Sequence, residues 1–238
     1  MCISPALIDR CTNNGIPKEK LHLIPRPVDV NYYYPLSNKN KLREQLSLNG
    51  TKPILLFVGG IIPRKNPHLL VQSLQLIKDD YPNVKLLLVG PEGKTDAGKQ
   101  YFIDLNKLVV ENNLQSNISF TGYVSNINDF MKAADIFLLP SDSEGFPNVL
   151  IEAMACGLPV IAKKIERITD FIIDDGKNGV IIDSNMPYHF AQAIRSLIES
   201  KGFYDEVSRN AVETVKAKFT TSVIDEKYER VYHNVKHS

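Results

Sequence analysis

The sequence has no tryptophan, only three cysteines among 238 residues, and no apolar run near the ~20 residues that a membrane-crossing helix needs. Cys2, Cys11 and Cys156 lack the spacing of a thiolate metal site or a Cys-x-x-Cys redox pair, so reduced thiols in a cytosolic protein are expected. His22, His68, His189, His233 and His237 are scattered, which leaves no metal-ligand cluster and no Ser-His-Asp spacing. A charge excess is also missing. Lys plus Arg total 28 against 27 for Asp plus Glu, so there is no broad basic field for nucleic acid. The first residues lack the basic start and apolar run of a secretion signal. The expected location is the cytoplasm, with peripheral association at a membrane as the alternative. What the chain does have is 43% hydrophobic residues, enough for a sizeable core.

From residue 51 onward, apolar runs alternate with helical periodicity. Residues 54–58 form a continuous apolar strand, and over 67–77 Leu69, Leu70, Leu74 and Ile77 recur at helical spacing. The order repeats, with strands over 84–89, 117–120, 136–139, 159–162 and 179–182 and helices over 98–113, 127–133 and 148–154. Continuous apolar strands separated by helices predict an α/β fold, a doubly wound, Rossmann-like parallel sheet covered on both faces. Ligands of such sheets sit outside the carboxyl ends of the strands. Gly59-Gly60, Gly90-Pro91, Gly122 and the 141–147 segment all fall there. Beyond Pro187 the pattern is helical, with a break expected at Lys201-Gly202. Residues 1–50 fit poorly: a helix over 5–11, one strand over 21–24, and a Tyr32-Tyr33-Tyr34 run without a local partner. A strand with no sheet of its own suggests a piece of another domain; an irregular cap on the same domain is the alternative.

Two loops carry chemistry. The first, Gly59-Gly60-Ile61-Ile62-Pro63-Arg64-Lys65, leaves the first strand and opens a helix with Pro67 in its first turn and Asn66 as its expected cap. Glycines let backbone approach a ligand closely, and Arg64 and Lys65 beside a helix start suit a phosphate. No Walker ending and no Gly-x-Gly-x-x-Gly fingerprint is present, and the basic pair alone also fits a solvated turn. The second loop runs from Ser141 through Glu144, Gly145 and Phe146 into a helix starting at Pro147-Asn148. Glu144 follows a buried strand, the helix presents free N–H groups to the same edge, and Glu152 lies one turn in. A diphosphate on the helix start, a sugar at Glu144 and a ribose at Glu152 form a coherent set; loop-surface and helix-surface acids are the alternative. Asp174-Asp175-Gly176-Lys177-Asn178-Gly179 lacks the later acidic ligands of a calcium loop and reads as a turn before a strand.

On these residues the chain resembles the C-terminal, donor-binding domain of retaining GT-B glycosyltransferases, group 1 or family 4. The matching stretches are Phe57-Val58-Gly59-Gly60, Pro63-Arg64-Lys65, Phe120-Thr121-Gly122-Tyr123-Val124, Ala134-Asp135, and Glu144 through Glu152 into Ala153-Met154-Ala155-Cys156-Gly157-Leu158-Pro159-Val160. The resemblance covers residues 50–200 almost continuously. It implies transfer of a sugar from a UDP-, GDP- or ADP-sugar with retained configuration, no metal or other cofactor, and a sugar, lipid or protein acceptor. Lys65 resembles the donor-phosphate lysine and Glu144 the acid that contacts the transferred sugar, which makes them the expected catalytic residues. Gly59, Gly60 and Arg64 belong to the phosphate loop. Gly145, Phe146, Asn148, Val149 and Leu150 resemble the segment that meets the diphosphate and sugar, Glu152 the ribose-binding acid, and Tyr123 and Val124 the surroundings of the base.

Residues 21–30 resemble the crossover between the two domains. The expected organisation is therefore a first-domain remnant and linker over 1–49, a nucleotide-sugar-binding domain over 50–200, and C-terminal helices over 201–238. Three departures from the family pattern stand out. Gly60 occupies the place of a usual arginine, with Arg64 as the available substitute. Lys164-Ile165-Glu166-Arg167-Ile168 covers the region where many members carry a Gly-Gly pair. Most of an acceptor domain is not in this sequence. The expectation is a donor-binding half-site completed by a partner domain or dimer; the alternative is a non-catalytic interaction or regulatory domain that keeps the half-fold.

Overall fold

All five residues of β1 (Ile54–Val58) are buried, so this strand needs cover on both faces. Successive side chains of a strand point to opposite sides. Ile54, Leu56 and Val58 join one core with Leu150, Met154, Val215 and Phe219, while Leu55 and Phe57 join a second with Leu70, Leu74, Phe190 and Ile194. The computed structural model describes residues 1–236, with side chains described through His233, so residues 237–238 of the expected C-terminal unit lie outside the described residues.

The remaining strands are β2 (Lys85–Val89), β3 (Ile118–Gly122), β4 (Ile136–Leu139), β5 (Val160–Lys163) and β6 (Val180–Ile182). They pair in parallel in the order β3-β2-β1-β4-β5-β6. The helices are α1 (Pro5–Asn13), α2 (Asn40–Gln45), α3 (Pro67–Gln75), α4 (Asp96–Glu111), α5 (Ile127–Ala133), α6 (Asn148–Ala155), α7 (Thr169–Ile172), α8 (Pro187–Glu199), α9 (Lys201–Lys218) and α10 (Thr221–Lys236). Residues of α3, α4 and α8 enter the second core; α6 and α9 enter the first. The α/β doubly wound sheet expected from the apolar runs is thus present, and β1 at its centre puts the Gly59-Gly60 exit beside that of β4.

The N-terminal 50 residues differ from the expected pattern. No strand forms over 21–24. Leu23 makes one isolated parallel bridge with Cys2, where Cys2 N–H donates to His22 O and Ile24 N–H to Cys2 O, both at 2.8 Å. With no further pairing on either side, the ladder cannot extend. Helix α2, which had no sequence signal, is held by Arg43. Its guanidinium donates to the Ala133 carbonyl at 2.7 and 2.9 Å and pairs with Asp135 at 2.7 Å. The other Asp135 oxygen accepts from Ile54 N–H at 2.8 Å, so this acid ties α2 to the amino end of the sheet. The Tyr32-Tyr33-Tyr34 run has a partner in Lys132, whose ammonium lies 3.5 Å from the Tyr34 ring centroid. The break before α9 falls at Ser200, whose hydroxyl accepts from Phe203 N–H at 3.3 Å, and Gly202 lies inside the first turn. Among the described residues no helix is long and apolar enough to cross a membrane.

Candidate functional site

The β1 and β2 exits run side by side past the strand ends, with Gly59 N–H donating to Val89 O at 2.9 Å and Ile61 N–H to Pro91 O at 2.8 Å. A Cβ on Gly90 would stand 2.1 Å from the Gly59 carbonyl oxygen, so only glycine permits this approach. The chain then makes one 3-10 turn over Pro63–Lys65 before α3. Asn66 does precede α3, but with a left-handed backbone (φ 50) and no side-chain bond to the helix. Its amide instead donates to Pro140 O at 3.3 Å, and Asp142 N–H donates to Arg64 O at 3.0 Å. The two loops singled out in the sequence are therefore stitched to each other.

That stitching brings Arg64, Lys65 and Glu144 together. Lys65 Nζ lies 2.5 Å from Glu144 Oε1, and the two side chains are only 14% and 10% exposed. The Arg64 guanidinium donates to the Ser143 carbonyl and stands 3.9 Å from Glu144 Oε2, with half its side chain in solvent. Two cations share one carboxylate, which leaves a net positive charge at the loop. Gly60 adds no bulk here: the nearest atom to a Cβ built on it is Pro91 O at 3.8 Å.

Helix α6 starts beside this cluster. The Phe146 and Leu150 side chains are buried in the core, Phe146 with its ring 6.0 Å from that of Phe219, so these residues can offer a ligand only backbone. Asn148 N–H donates to Phe146 O at 3.0 Å and Leu150 N–H to Pro147 O at 2.9 Å, while Val149 N–H has no backbone partner among the described residues. Ser141 Oγ and Asn148 Oδ1 are buried and, among the described residues, also unpartnered. Such atoms cost about 1–3 kcal/mol each when left unmet. Gly145 is exposed.

The other expected residues lie elsewhere on the same edge. Glu152 is not part of the Lys65–Glu144 cluster. Burial pushes its carboxyl above the usual carboxylate range, and a hydrogen bond from the Tyr33 hydroxyl works the other way. Tyr33 is in turn raised by burial and then by the Glu152 charge. Tyr33 had only one sequence signal, an aromatic run without a local partner. Tyr123 leaves β3 with 80% of its surface exposed, whereas Val124 packs against the core. Sequence reasoning also missed Lys163, a cation ending an otherwise apolar strand. Its ammonium reaches Asn185 and lies 2.5 Å from Asp142. Burial works against ionisation of Asp142, yet hydrogen bonds from Lys163 and Asn66 hold its carboxyl below its ordinary range. Within the 164–168 region, Arg167 adopts a left-handed backbone (φ 60), pairs with Asp9 of α1, and accepts through its carbonyl from Ala6 N–H at 3.4 Å. Cys156 is buried and its thiol is pushed up to about 12 by burial, so it is not a nucleophile at neutral pH. Among the described residues no three His, Cys, Asp or Glu side chains are placed to hold a metal ion. A cavity of about 480 Å³ between β6 and α8, lined by Ile182, Ser184, His189 and Gln192, contains none of the expected site residues.

Comparisons with known proteins agree with this architecture. The capsular polysaccharide biosynthesis glycosyltransferase CapM of Staphylococcus aureus is 28% identical over 225 residues, covering 93% of this chain and 53% of CapM. A D-inositol 3-phosphate glycosyltransferase of Catenulispora acidiphila is 30% identical over 190 residues, covering 78% of this chain and 44% of its own length. The chain thus spans about half the length of the curated relatives it matches. Among solved structures, Anabaena HepE in complex with UDP and glucose superimposes with a TM-score of 0.87 at 24% identity, over 98% of this chain and 62% of that one. The C-terminal domain of the group 1 glycosyl transferase LpcC from Francisella tularensis gives a TM-score of 0.74 at 24% identity, over 82% of this chain and 99% of that one. Both likenesses show the GT-B domain fold. The family model for glycosyl transferases group 1 matches residues 38–214, more than half of the sequence, and the chain belongs to that family.

Proposed function

We propose that this chain is the donor-binding half of a retaining glycosyltransferase and that its site takes a nucleoside diphosphate sugar. The observation that carries this reading is the Lys65–Glu144 pair at 2.5 Å, set against the first turn of α6. Lys65, with Arg64, supplies positive charge to a diphosphate, and the Val149 N–H adds a donor at the helix start. Glu144 accepts from hydroxyls of the transferred sugar, Glu152 from the ribose, and exposed Tyr123 offers a face to the base. As the glycosyl C–O bond breaks, negative charge grows on the departing diphosphate, where fixed cations and N–H groups favour the transition state over the ground state. UDP and glucose in the HepE crystals make a uridine donor the first to test. On this reading residues 1–49 are a first-domain remnant and linker, 50–200 the donor domain and 201–238 its C-terminal helices, and turnover depends on an acceptor half from another domain or a dimer partner. On the same reading the protein works in the cytoplasm, free or peripherally at a membrane.

Calorimetric titration with UDP, GDP, ADP and their glucose conjugates tests the proposal. Binding of at least one diphosphate, weakened by Lys65→Ala, is expected; no binding of any at millimolar concentration overturns it. A second reading, a non-catalytic interaction domain on the same half-fold, is favoured by Gly60, which leaves the phosphate loop one cation short. Sugar transfer by the purified chain, alone or with an added acceptor domain, would exclude that reading.

A further inference from the structure

Tyr33 reaches the site from the N-terminal 50 residues, and the backbone around it is fixed on both sides. Tyr33 N–H donates to Asp29 O at 2.9 Å, closing a turn in which the Asp29 carboxylate accepts from Asn31 N–H at 2.9 Å. Asn128 of α5, itself buried, donates from its amide to Tyr32 O at 3.0 Å, and the Lys132 ammonium lies on the Tyr34 ring. A Cβ on Gly157 would meet Pro35 at 3.2 Å, so the segment lies close against the end of α6. The Tyr33 ring packs on the core that α6 and α9 enter, and it shares a crevice of about 60 Å³ with Ala155 and Val215. Ala155 stands three residues after Glu152, on the same face of α6. From this seat the Tyr33 hydroxyl reaches the Glu152 carboxyl and donates to it.

No cation does the same work. Among the described residues the Glu152 side chain makes no ion pair, and Tyr33 is its hydrogen-bond partner. The nearby ammonium groups are committed elsewhere, Lys132 to the Tyr34 ring and Lys39 to the Ala134 carbonyl. Cys156, one turn further along α6, is held as the neutral thiol. Burial by itself favours the protonated acid, which carries a donor of its own and has less capacity to accept. A phenol hydroxyl donating to the carboxyl favours the ionised form and fixes the plane of a group whose last torsion is otherwise broad. The acceptor sites left open then suit two hydroxyls on adjacent carbons, the arrangement in a ribose.

We propose that Tyr33 is a positioning residue: its hydroxyl holds the Glu152 carboxylate in the orientation that accepts from the 2′ and 3′ hydroxyls of the nucleotide, so that the site selects ribose over deoxyribose. Tyr33 acts through Glu152 and not on the ligand. A phenyl ring alone would fill the crevice; only the hydroxyl serves the contact with Glu152. The inference rests on the reading of Glu152 as the ribose-binding acid.

The test compares UDP with 2′-deoxy-UDP by calorimetry on the full chain, as wild type, Tyr33→Phe and Glu152→Gln. Tyr33→Phe keeps the ring and with it the packing. The wild type is expected to favour UDP by about tenfold or more, and that preference to fall about fivefold in each variant. A carbon-13 NMR titration of the Glu152 carboxyl, without nucleotide, is expected to move to higher pH in Tyr33→Phe, the direction that loss of a donor to the ionised form requires. A ring that only fills space moves neither readout. An unshifted titration, or a ribose preference kept in Tyr33→Phe while lost in Glu152→Gln, overturns the inference alone. Equal binding of both nucleotides by the wild type, or a preference kept in Glu152→Gln, defeats the ribose reading of Glu152 and the inference with it.

Discussion

In the free protein Lys65 is already engaged, so a diphosphate must take it from Glu144. The contact is 2.5 Å long and mostly out of solvent. At an effective dielectric of ~20, unit charges 4 Å apart interact by about 4 kcal/mol. An incoming phosphate restores most of what Lys65 gives up, but it also enters a region where the Glu144 charge repels it. Replacing Glu144 by Gln removes that competition and keeps the side-chain shape. We expect Glu144→Gln to tighten UDP by about 1 kcal/mol, a gain of about fivefold. UDP-glucose should not share the gain, because its sugar hydroxyls lose a charged acceptor worth about 1.5–3 kcal/mol. Lys65→Ala acts in the opposite direction, weakening UDP by about 10–150-fold while leaving uridine unchanged. Calorimetry with UDP, UDP-glucose and uridine on the three proteins, with thermal unfolding to check their folds, reads all of these. Weaker UDP binding in Glu144→Gln, or equal losses of UDP and uridine in Lys65→Ala, would refute the reasoning.

Three further outcomes follow from the same geometry. Gly60→Arg has room for its side chain and should tighten UDP about tenfold through an added guanidinium–phosphate contact, measured by the same titration; unchanged affinity would show that the loop directs position 60 away from the ligand. The folded Glu152 carboxyl lies above its unfolded range, so folding takes up a proton between the two values and stability falls as pH rises through that window. Glu152→Gln should therefore match the wild type in acid and exceed it at neutral pH in urea unfolding, and a less stable variant at neutral pH would contradict this. Tyr123→Ala should weaken UDP and uridine alike, by about 1–3 kcal/mol if the base stacks on the exposed ring; loss for UDP alone in a fluorescence titration would argue against stacking.

Local pattern made most of the sheet legible. Continuous apolar runs such as Ile54–Val58 have one solution in an α/β chain, a strand buried on both faces, and the glycines after them mark the edge where ligands bind. The two loops of the candidate site were visible because Glu144, Lys65 and Arg64 sit where no packing rule demands charge. Their joining was not visible, since it depends on Asn66 turning left-handed and donating to Pro140 O across 74 residues. The same holds for Tyr33 beside Glu152 and for Lys163 against Asp142, contacts set by how the N-terminal 50 residues and neighbouring strands stack rather than by periodicity. Over 21–24 the apolar run misled, because two bridged residues satisfy their backbone groups without forming a strand. Arg167 is the converse case. The sequence marks only the 164–168 region as a departure from the family's glycine pair, and the fold reveals that Arg167 has a left-handed backbone and pairs its side chain with Asp9 of α1.

The most direct test of the donor-site claim is a crystal structure of this chain soaked with UDP. The account predicts the diphosphate between Lys65 Nζ and the Val149 N–H, the Lys65–Glu144 contact exchanged for a phosphate contact, and the ribose at Glu152. Nucleotide bound instead in the cavity between β6 and α8, or a Lys65–Glu144 pair left intact beside bound UDP, would contradict it.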